Sequence, residues 1–454
     1  MSNIQAFIAA HRFGYGANDR TIQQIKQQPK QWLLDQISAD NVAKELQSLD
    51  LRWNSKQATQ QVHLYRRQKK QEKINSVSSE QNMMAGSNRT KKEINQQIRK
   101  VVTRTIVHSI STDSPFYWRL VDFFSNHFSV TSSRAVVRAF APTLETEAIA
   151  PNISGYFSDM LQAVESHPAM LLYLNNERSI GPNSKAGKKG NGKKGLNENL
   201  AREILELHTL GVNAGYDQAD VTELARAITG WGVSNKGPNG FTFRSGLHEP
   251  GSRDVFGQTY KADGVNQGRR ILNDLALNPK TAAFVSRKLA THFIADEPPK
   301  DLVEKMVKVW LKTNGHLPQV LEVMLEDPSS WLEHHAKFKT PREFVISTCR
   351  TCGIKRIKPG FIKSLTILGQ QPFAAGSPAG YKDTQEYWAG PRAMMGRIEW
   401  AEHVSKFVKK DPMTLAKSAL GPLLQNRTEL QISRAESKQQ AVTLFLMSPE
   451  FQKR

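Results

Sequence analysis

Two histidines fall at the centre of apolar helical stripes, and that placement is the strongest chemical signal in the chain. In Asn197-Glu-Asn-Leu-Ala-Arg-Glu-Ile-Leu-Glu-Leu-His-Thr-Leu-Gly211, steps of about 100° per residue put Leu200, Ala201, Ile204, Leu205 and Leu207 on one face. His208 lies near the middle of that face. Arg202 and Glu206 fall opposite at i, i+4 spacing, with Glu198 and Glu203 at the two margins. Between Tyr117 and Val130 the same projection gathers Leu120, Val121, Phe124 and Phe128 around His127, while Asp122 and Asn126 point away. An unsatisfied buried imidazole costs about 1–3 kcal/mol, so both rings need partners. Either they are core histidines bonded to backbone or a nearby acid, or they converge with Glu198 or Glu203 as acid/base groups. Neither a His-Glu-x-x-His helix nor the Glu-x-x-His pairs of di-iron bundles are matched, so the spacing gives a metal little support and specifies no cofactor.

Other polar positions group with these. Asp217 and Asp220 form a capping arrangement ahead of Glu223 and Arg226, and Gly230 suits the end of that helix. Arg202 and Arg226 are candidate anion clamps, and Asn126 joins them as a substrate-binding position. The turn His248-Glu-Pro-Gly251 displays an imidazole and a carboxylate, which suits the mouth of a site. Cys349 and Cys352 stand at i, i+3 spacing, which is half a zinc site, a redox pair or two small core side chains.

These residues are positioned by a mainly α chain. Helical spacing recurs over Thr21–Ile37 (interrupted at Pro29), Glu93–Ile110, Tyr117–Val130, Ser154–Leu174, Asn197–Leu210 and Asp217–Thr229. It continues over Thr281–Ile294, Lys300–Lys312, Leu317–Leu325, Pro341–Cys352, Ala416–Leu424 and Gln440–Met447. Strand signals are confined to residues 238–262, which read as a small β-meander, and Gly360–Tyr387 reads as irregular. The expected architecture is one large multi-helix globular domain over residues 1–454 with a small β-meander insertion.

The formal net charge of +20 is concentrated. Residues 65–100 hold ten Lys/Arg against three Glu, and residues 184–195 hold five Lys and no acid, together twelve of the twenty excess charges. The first stretch reads as an exposed basic insertion, and the second as a flexible loop whose glycines exclude helix and strand. Polyanion binding is expected only of these two stretches. No aromatic platform or recognised module accompanies them, which disfavours a dedicated nucleic-acid binder. No run of about 18 apolar residues exists to span a bilayer. Met1 to Arg12 lacks the basic segment of a signal peptide, which leaves the cytoplasm, a signal already removed from this sequence, or export on another protein's signal.

Arg12-Phe-Gly-Tyr-Gly16, Phe124-Ser-Asn-His-Phe128, His167-Pro-Ala-Met-Leu171, Asn197–Glu203, Glu206–Gly211, Asp220-Val221, Thr229-Gly-Trp231, Lys339–Phe344, Leu368-Gly-Gln370 and Pro378–Tyr381 resemble the motifs of the bacterial domain-of-unknown-function family eighteen hundred. The resemblance spans nearly the whole chain and carries no reaction. This sequence departs from it with Glu249 where His-Asp is usual and Asp254 where Lys is frequent, which weakens a mechanism built on the 248–251 turn. The cysteine pair and the basic stretches lie outside the family pattern. The resemblance implies a partner encoded nearby that is similar to alkaline phosphatases and sulfatases, and with it a periplasmic destination. Three functions follow. One is a hydrolase or transferase on a polar extracellular substrate, with His127, His208, Glu198 and Glu203 as catalytic groups. The others are a non-catalytic or chaperone-like subunit of that partner, and a nucleic-acid binder.

Overall fold

A computed structural model describes residues 3–25, 28–75, 85–189, 195–234, 237–333, 336–355, 357 and 361–454. Helices dominate, as the periodicity requires, and strands are confined to two short hairpins. The helices used below are α1 (Ser55–Asn75), α2 (Ala85–Ser111), α3 (Pro115–His127), α4 (Phe157–Glu165), α5 (Asn199–Glu203), α6 (Gln218–Ala227), α7 (Pro279–Phe293), α8 (Pro341–Thr351) and α9 (Pro391–Ser405).

α3 is the centre of the core. Phe116, Tyr117, Trp118, Leu120, Val121 and Phe124 are all fully buried, so almost every turn of this helix is covered. Phe116 meets Phe13 and Phe293 edge-on, and Phe124 reaches Phe157 of α4. α7 packs on the Lys300–Lys312 helix, which packs in turn on Leu317–Glu326, while α8 packs on α2. Pro29 restarts a helix after one ending at Ile25, and Pro168 separates α4 from Pro168–Tyr173. α6 opens on the expected capping box, with Asp217 and Asp220 exchanging side-chain bonds to backbone N–H groups.

Several local expectations are corrected. The basic stretch 65–100, expected as an exposed insertion, is helical where it is described. It forms much of an α1–α2 hairpin, sealed by a narrow seam that includes Ala58, Val62, Ile94 and Ile98. All ten of its Lys and Arg are exposed, and that polar outer surface masks the seam in the sequence. Residues 76–84 of it lie outside the described residues. In the Gly/Lys stretch, Lys185–Lys189 forms one helical turn, and residues 190–194 lie outside the described residues. The β region begins earlier than expected. Trp231–Val233 (β1) pairs antiparallel with Phe241–Phe243 (β2), Trp231 opposite Phe243, and Arg253–Val255 (β3) pairs with Gln258–Tyr260 (β4). It is two hairpins rather than a continuous meander, and Phe361–Ile367, expected to be irregular, is helical.

Among the described residues, three five-residue turns widen to π-helix: Ala9–Phe13, Glu145–Ile149 and Ile204–His208. Each places buried polar side chains in the core: His11 and Arg12, Glu145, and His208. Such turns recur at functional sites because they re-aim side chains and loosen backbone pairing.

Candidate functional site

A cavity of about 370 Å³ opens between α3, α7, the start of α8 and the strap 370–383. α7 enters it with its first turn fixed by Pro279 and the Asn278 side chain, which accepts from Lys280 N. From there Phe284, Lys288 and His292 recur every four residues along one face and all line the cavity. α8 starts with a second capping box, Thr340 with Glu343, which fixes Arg342 and Glu343 at the opposite wall.

The strap is anchored at several points. Asn126 of α3 clamps the Tyr381 peptide, its Oδ1 accepting from Tyr381 N at 2.7 Å and its Nδ2 donating to Tyr381 O at 2.8 Å. Gly380 has φ +79°, and a Cβ there would lie 2.4 Å from the Asn126 carbonyl oxygen. Thr131 donates to Ala375 O at 2.6 Å, and Ser132 N to Phe373 O at 2.8 Å. Asn126 therefore borders the cavity with its amide fully occupied by the strap.

His127 ends α3 with both ring nitrogens engaged. Nε2 lies 3.1 Å from the backbone oxygen of His208, which can only accept, so Nε2 carries the proton. That leaves the Nδ1 lone pair to accept from Lys288 Nζ at 2.9 Å. Burial, then the charge of Lys288, holds His127 well below the usual imidazole range, so the ring is neutral. Burial pushes Lys288 down to about 8, opposed by the more distant Asp383. The ammonium also faces the Phe284 ring at 5.3 Å and has no carboxylate within ion-pair distance among the described residues. Gly211, at φ +92°, lets the chain turn directly against Phe284, where a Cβ would lie 2.9 Å from the ring.

Beside this pair stands a buried ionic network. Glu343 joins Arg119 at 2.7 Å and Arg454 at 3.0 Å, all three essentially inaccessible. Burial opposes ionisation of Glu343, but the two guanidiniums outweigh it and hold its carboxyl far below the usual range. Arg119 also donates to His292 Nε2 at 3.1 Å, so the proton of His292 resides on Nδ1 and points to Asp383. Lys337 bonds the Asp383 backbone oxygen and Asp296. Asp122 is held by Arg342 at 2.8 Å and by the Tyr15 hydroxyl at 2.5 Å. Glu145 differs from these acids. Among the described residues it accepts only from Ser125, at 3.2 Å, and burial pushes it up to about 7 against the pull of Arg342.

The sequence-derived residues divide. His127 and His208 do meet, ring centroids 6.3 Å apart, and both are buried. His208 is partnered by neither Glu198 nor Glu203. Its Nδ1 lies 2.7 Å from Oε1 of the fully buried Glu165, and it supplies its backbone oxygen to His127. Glu198 accepts from Gln218 and Thr222 at the surface, and Glu203 is half-buried with its carboxyl raised by burial. Arg202 pairs with Glu206 at 3.3 Å, and Arg226 with Glu223, which also takes Arg253 at 3.0 Å. His248 bonds the Thr229 backbone oxygen at 3.0 Å, and Glu249 is buried against Asn183. None of Glu198, Arg202, Glu203, His208, Arg226 or His248 lines the cavity, and the 248–251 turn does not form its mouth. Cys349 and Cys352 are free thiols raised by burial, Cys352 to about 12. Among the described residues no group of three or more His, Cys, Asp or Glu could hold a metal ion, and no helix is long and apolar enough to cross a membrane.

Lys288, Glu145, His292, Arg342 and Asp383 were not singled out from the sequence. Two of them had a readable signal. Arg342 sits inside the Thr340–Glu343 capping signature, and Lys288 breaks the Phe284–His292 face of an otherwise amphipathic helix.

The fold and site thus define a large helical protein with a mainly apolar cavity that holds a buried histidine and an enclosed lysine. The family model described as "Protein of unknown function (DUF1800)" matches residues 8–453, and the chain belongs to that family. No curated protein and no solved structure matches it.

Proposed function

We propose that the protein is a hydrolase or transferase acting on a polar substrate in the α3–α7 cavity, with Lys288 as proton donor and Glu145 as proton acceptor. The reading is carried by one observation: a lysine held in the cavity by a neutral imidazole, with no carboxylate to keep it charged. An amine lowered to about 8 and a carboxyl raised to about 7 exchange protons near neutrality, which proton-transfer catalysis requires. His127 positions the amine, and the His208 carbonyl fixes the tautomer that lets it do so. Glu198, Glu203, Arg202, Arg226 and His248 have no part in this version.

Chromogenic acyl, phosphate and sulfate esters and glycosides test it. Turnover of at least one class is expected, falling at least about a hundredfold in Lys288→Met and in Glu145→Gln but unchanged in Glu198→Gln. No turnover of any class, or turnover that survives Lys288→Met, overturns the reading.

A second reading is a non-catalytic subunit of a phosphatase- or sulfatase-like partner. Ile367, Tyr387, Met395 and Phe407 support it, four exposed apolar side chains on the segment 361–407. Co-purification with such a partner, lost in Met395→Glu, is the expected outcome, and unchanged co-purification removes the apolar segment from consideration.

A further inference from the structure

We infer that the cavity takes an oxyanion (a carboxylate, phosphate or sulfate group) carried on an apolar body, with Lys288, Arg287 and Lys382 receiving the charge. The inference names the substrate class of the site proposed above and rests on that site, though not on its being catalytic.

The argument is one of charge left over. Four acids line the cavity, and three are already held. Asp122 has Arg342 and Tyr15, Glu343 has Arg119 and Arg454, and Asp383 has His292 with Lys337 nearby. The fourth, Glu145, bonds only Ser125 among the described residues, and burial pushes it up to about 7, which weakens its charge near neutral pH. Of the four Lys and Arg side chains in the lining, only Arg342 is engaged by an acid among the described residues. Lys288 bonds a neutral ring. Arg287 and Lys382 are exposed at the mouth, and neither side chain has a hydrogen bond or ion pair among the described residues. Arg287 and Lys288 are consecutive on α7, so they lie about 100° apart around it, one turned outward and one inward. An entering anion would meet the exposed guanidinium first and the enclosed ammonium second. A desolvated ammonium gains most from a charged hydrogen-bond acceptor, because the surrounding protein screens the pair weakly.

The remaining walls choose the body of the ligand. Phe123, Phe284, Phe373, Val102, Val130 and Pro372 give the cavity a mainly apolar lining. Phe123 lies nearly parallel to His127, centroids 6.2 Å apart, and offers a flat face. The cavity volume is at the small end of ligand sites, enough for an aromatic ring bearing one acid group.

The test is calorimetric titration of the full chain with benzoate, phenyl phosphate and phenyl sulfate, against benzamide and benzyl alcohol as neutral matches and inorganic phosphate as the bare anion. At least one aromatic anion is expected to bind at least tenfold tighter than both neutral compounds and than inorganic phosphate, and to weaken as salt rises. Arg287→Gln, at an exposed unpaired position, should weaken that binding by about threefold or more without altering the melting temperature, and Lys288→Met by tenfold or more. Equal binding of benzamide and the anions, no binding of any anion, or no loss in either variant overturns the inference. Anion binding without turnover of any ester leaves this inference standing and removes the catalytic reading. Turnover confined to neutral substrates does the reverse.

Discussion

Lys288→Met tests the chemistry of the cavity without requiring a substrate. An amine with a folded value of about 8 and an unfolded value of 10.5 binds its proton more weakly in the folded state. The folded protein is therefore penalised while both states are protonated, below pH 8. The penalty shrinks as pH rises through the window from 8 to 10.5, where only the unfolded chain holds the proton, so this lysine makes stability rise with pH there. At pH 7 the penalty is about 3 kcal/mol, and at about pH 9.5 it is about 1.4 kcal/mol. Methionine fills the same elongated space without charge, but it leaves His127 Nδ1 without its donor, which costs about 1–2 kcal/mol at either pH. The variant should thus be at least as stable as the parent at pH 7, by about 1–2 kcal/mol, and that advantage should fall by about 2 kcal/mol by about pH 9.5. Urea unfolding of both proteins at the two pH values reads the difference directly. His127 is neutral throughout this range and adds no slope. A stability difference that does not change with pH would refute the claim that Lys288 is a desolvated, unpaired amine.

Three other outcomes are expected. Glu343→Gln leaves the buried Arg119 and Arg454 without their carboxylate and should cost about 3–5 kcal/mol by urea unfolding, whereas a loss under about 1 kcal/mol would remove the network as a structural element. Gly380→Ala forces a Cβ against Asn126 at positive φ and should cost roughly 1–3 kcal/mol by thermal unfolding, an unchanged midpoint showing that the strap is not clamped. Cys349 and Cys352 should resist a thiol-specific chromogenic disulfide at about pH 8 until the protein is unfolded, since burial disfavours both thiolates, and rapid native labelling would contradict that environment.

Much of the architecture was readable because burial imposes a period. His127 and His208 stood out as polar residues inside apolar stripes, and both are buried where the stripes place them. Leu207 was placed wrongly for a specific reason. The helix widens to a π-turn at Ile204–His208, so steps of 100° drift, and Leu207 is only partly buried. The partners of the histidines were not readable. Glu165 is a lone acid at the end of α4, and nothing local distinguishes it from a surface glutamate until the fold sets it 2.7 Å from His208. Lys288 lies 161 residues from His127 in sequence, so its meaning depends on tertiary packing alone. Glu198 and Glu203 are neighbours of His208 along the chain, but Glu198 turns to Gln218 and Thr222 at the surface, and Glu203 feels the charge of His208 without forming an ion pair with it. The pairing of the basic stretch into a helical hairpin is not legible from composition, since a seam of few apolar residues is outweighed by the charges around it.

The contacts that shape this cavity also govern when it can form. Beyond its lining, contacts join segments far apart in the residue numbering: His11 bonds the Ala419 carbonyl, Arg12 that of Ser330, and Phe338 pairs with Lys453. Arg119, in the first third, is neutralised by Glu343 together with Arg454. Closing a loop of some 400 residues costs on the order of 5 kcal/mol in chain entropy before such contacts return anything. Folding should therefore be slow, with the polar centre completed last. During synthesis, α3 would emerge from the ribosome with Arg119 lacking its carboxylate until residue 343 is made. For that interval the central helix of the protein is its least settled part, and the segment most in need of protection from aggregation.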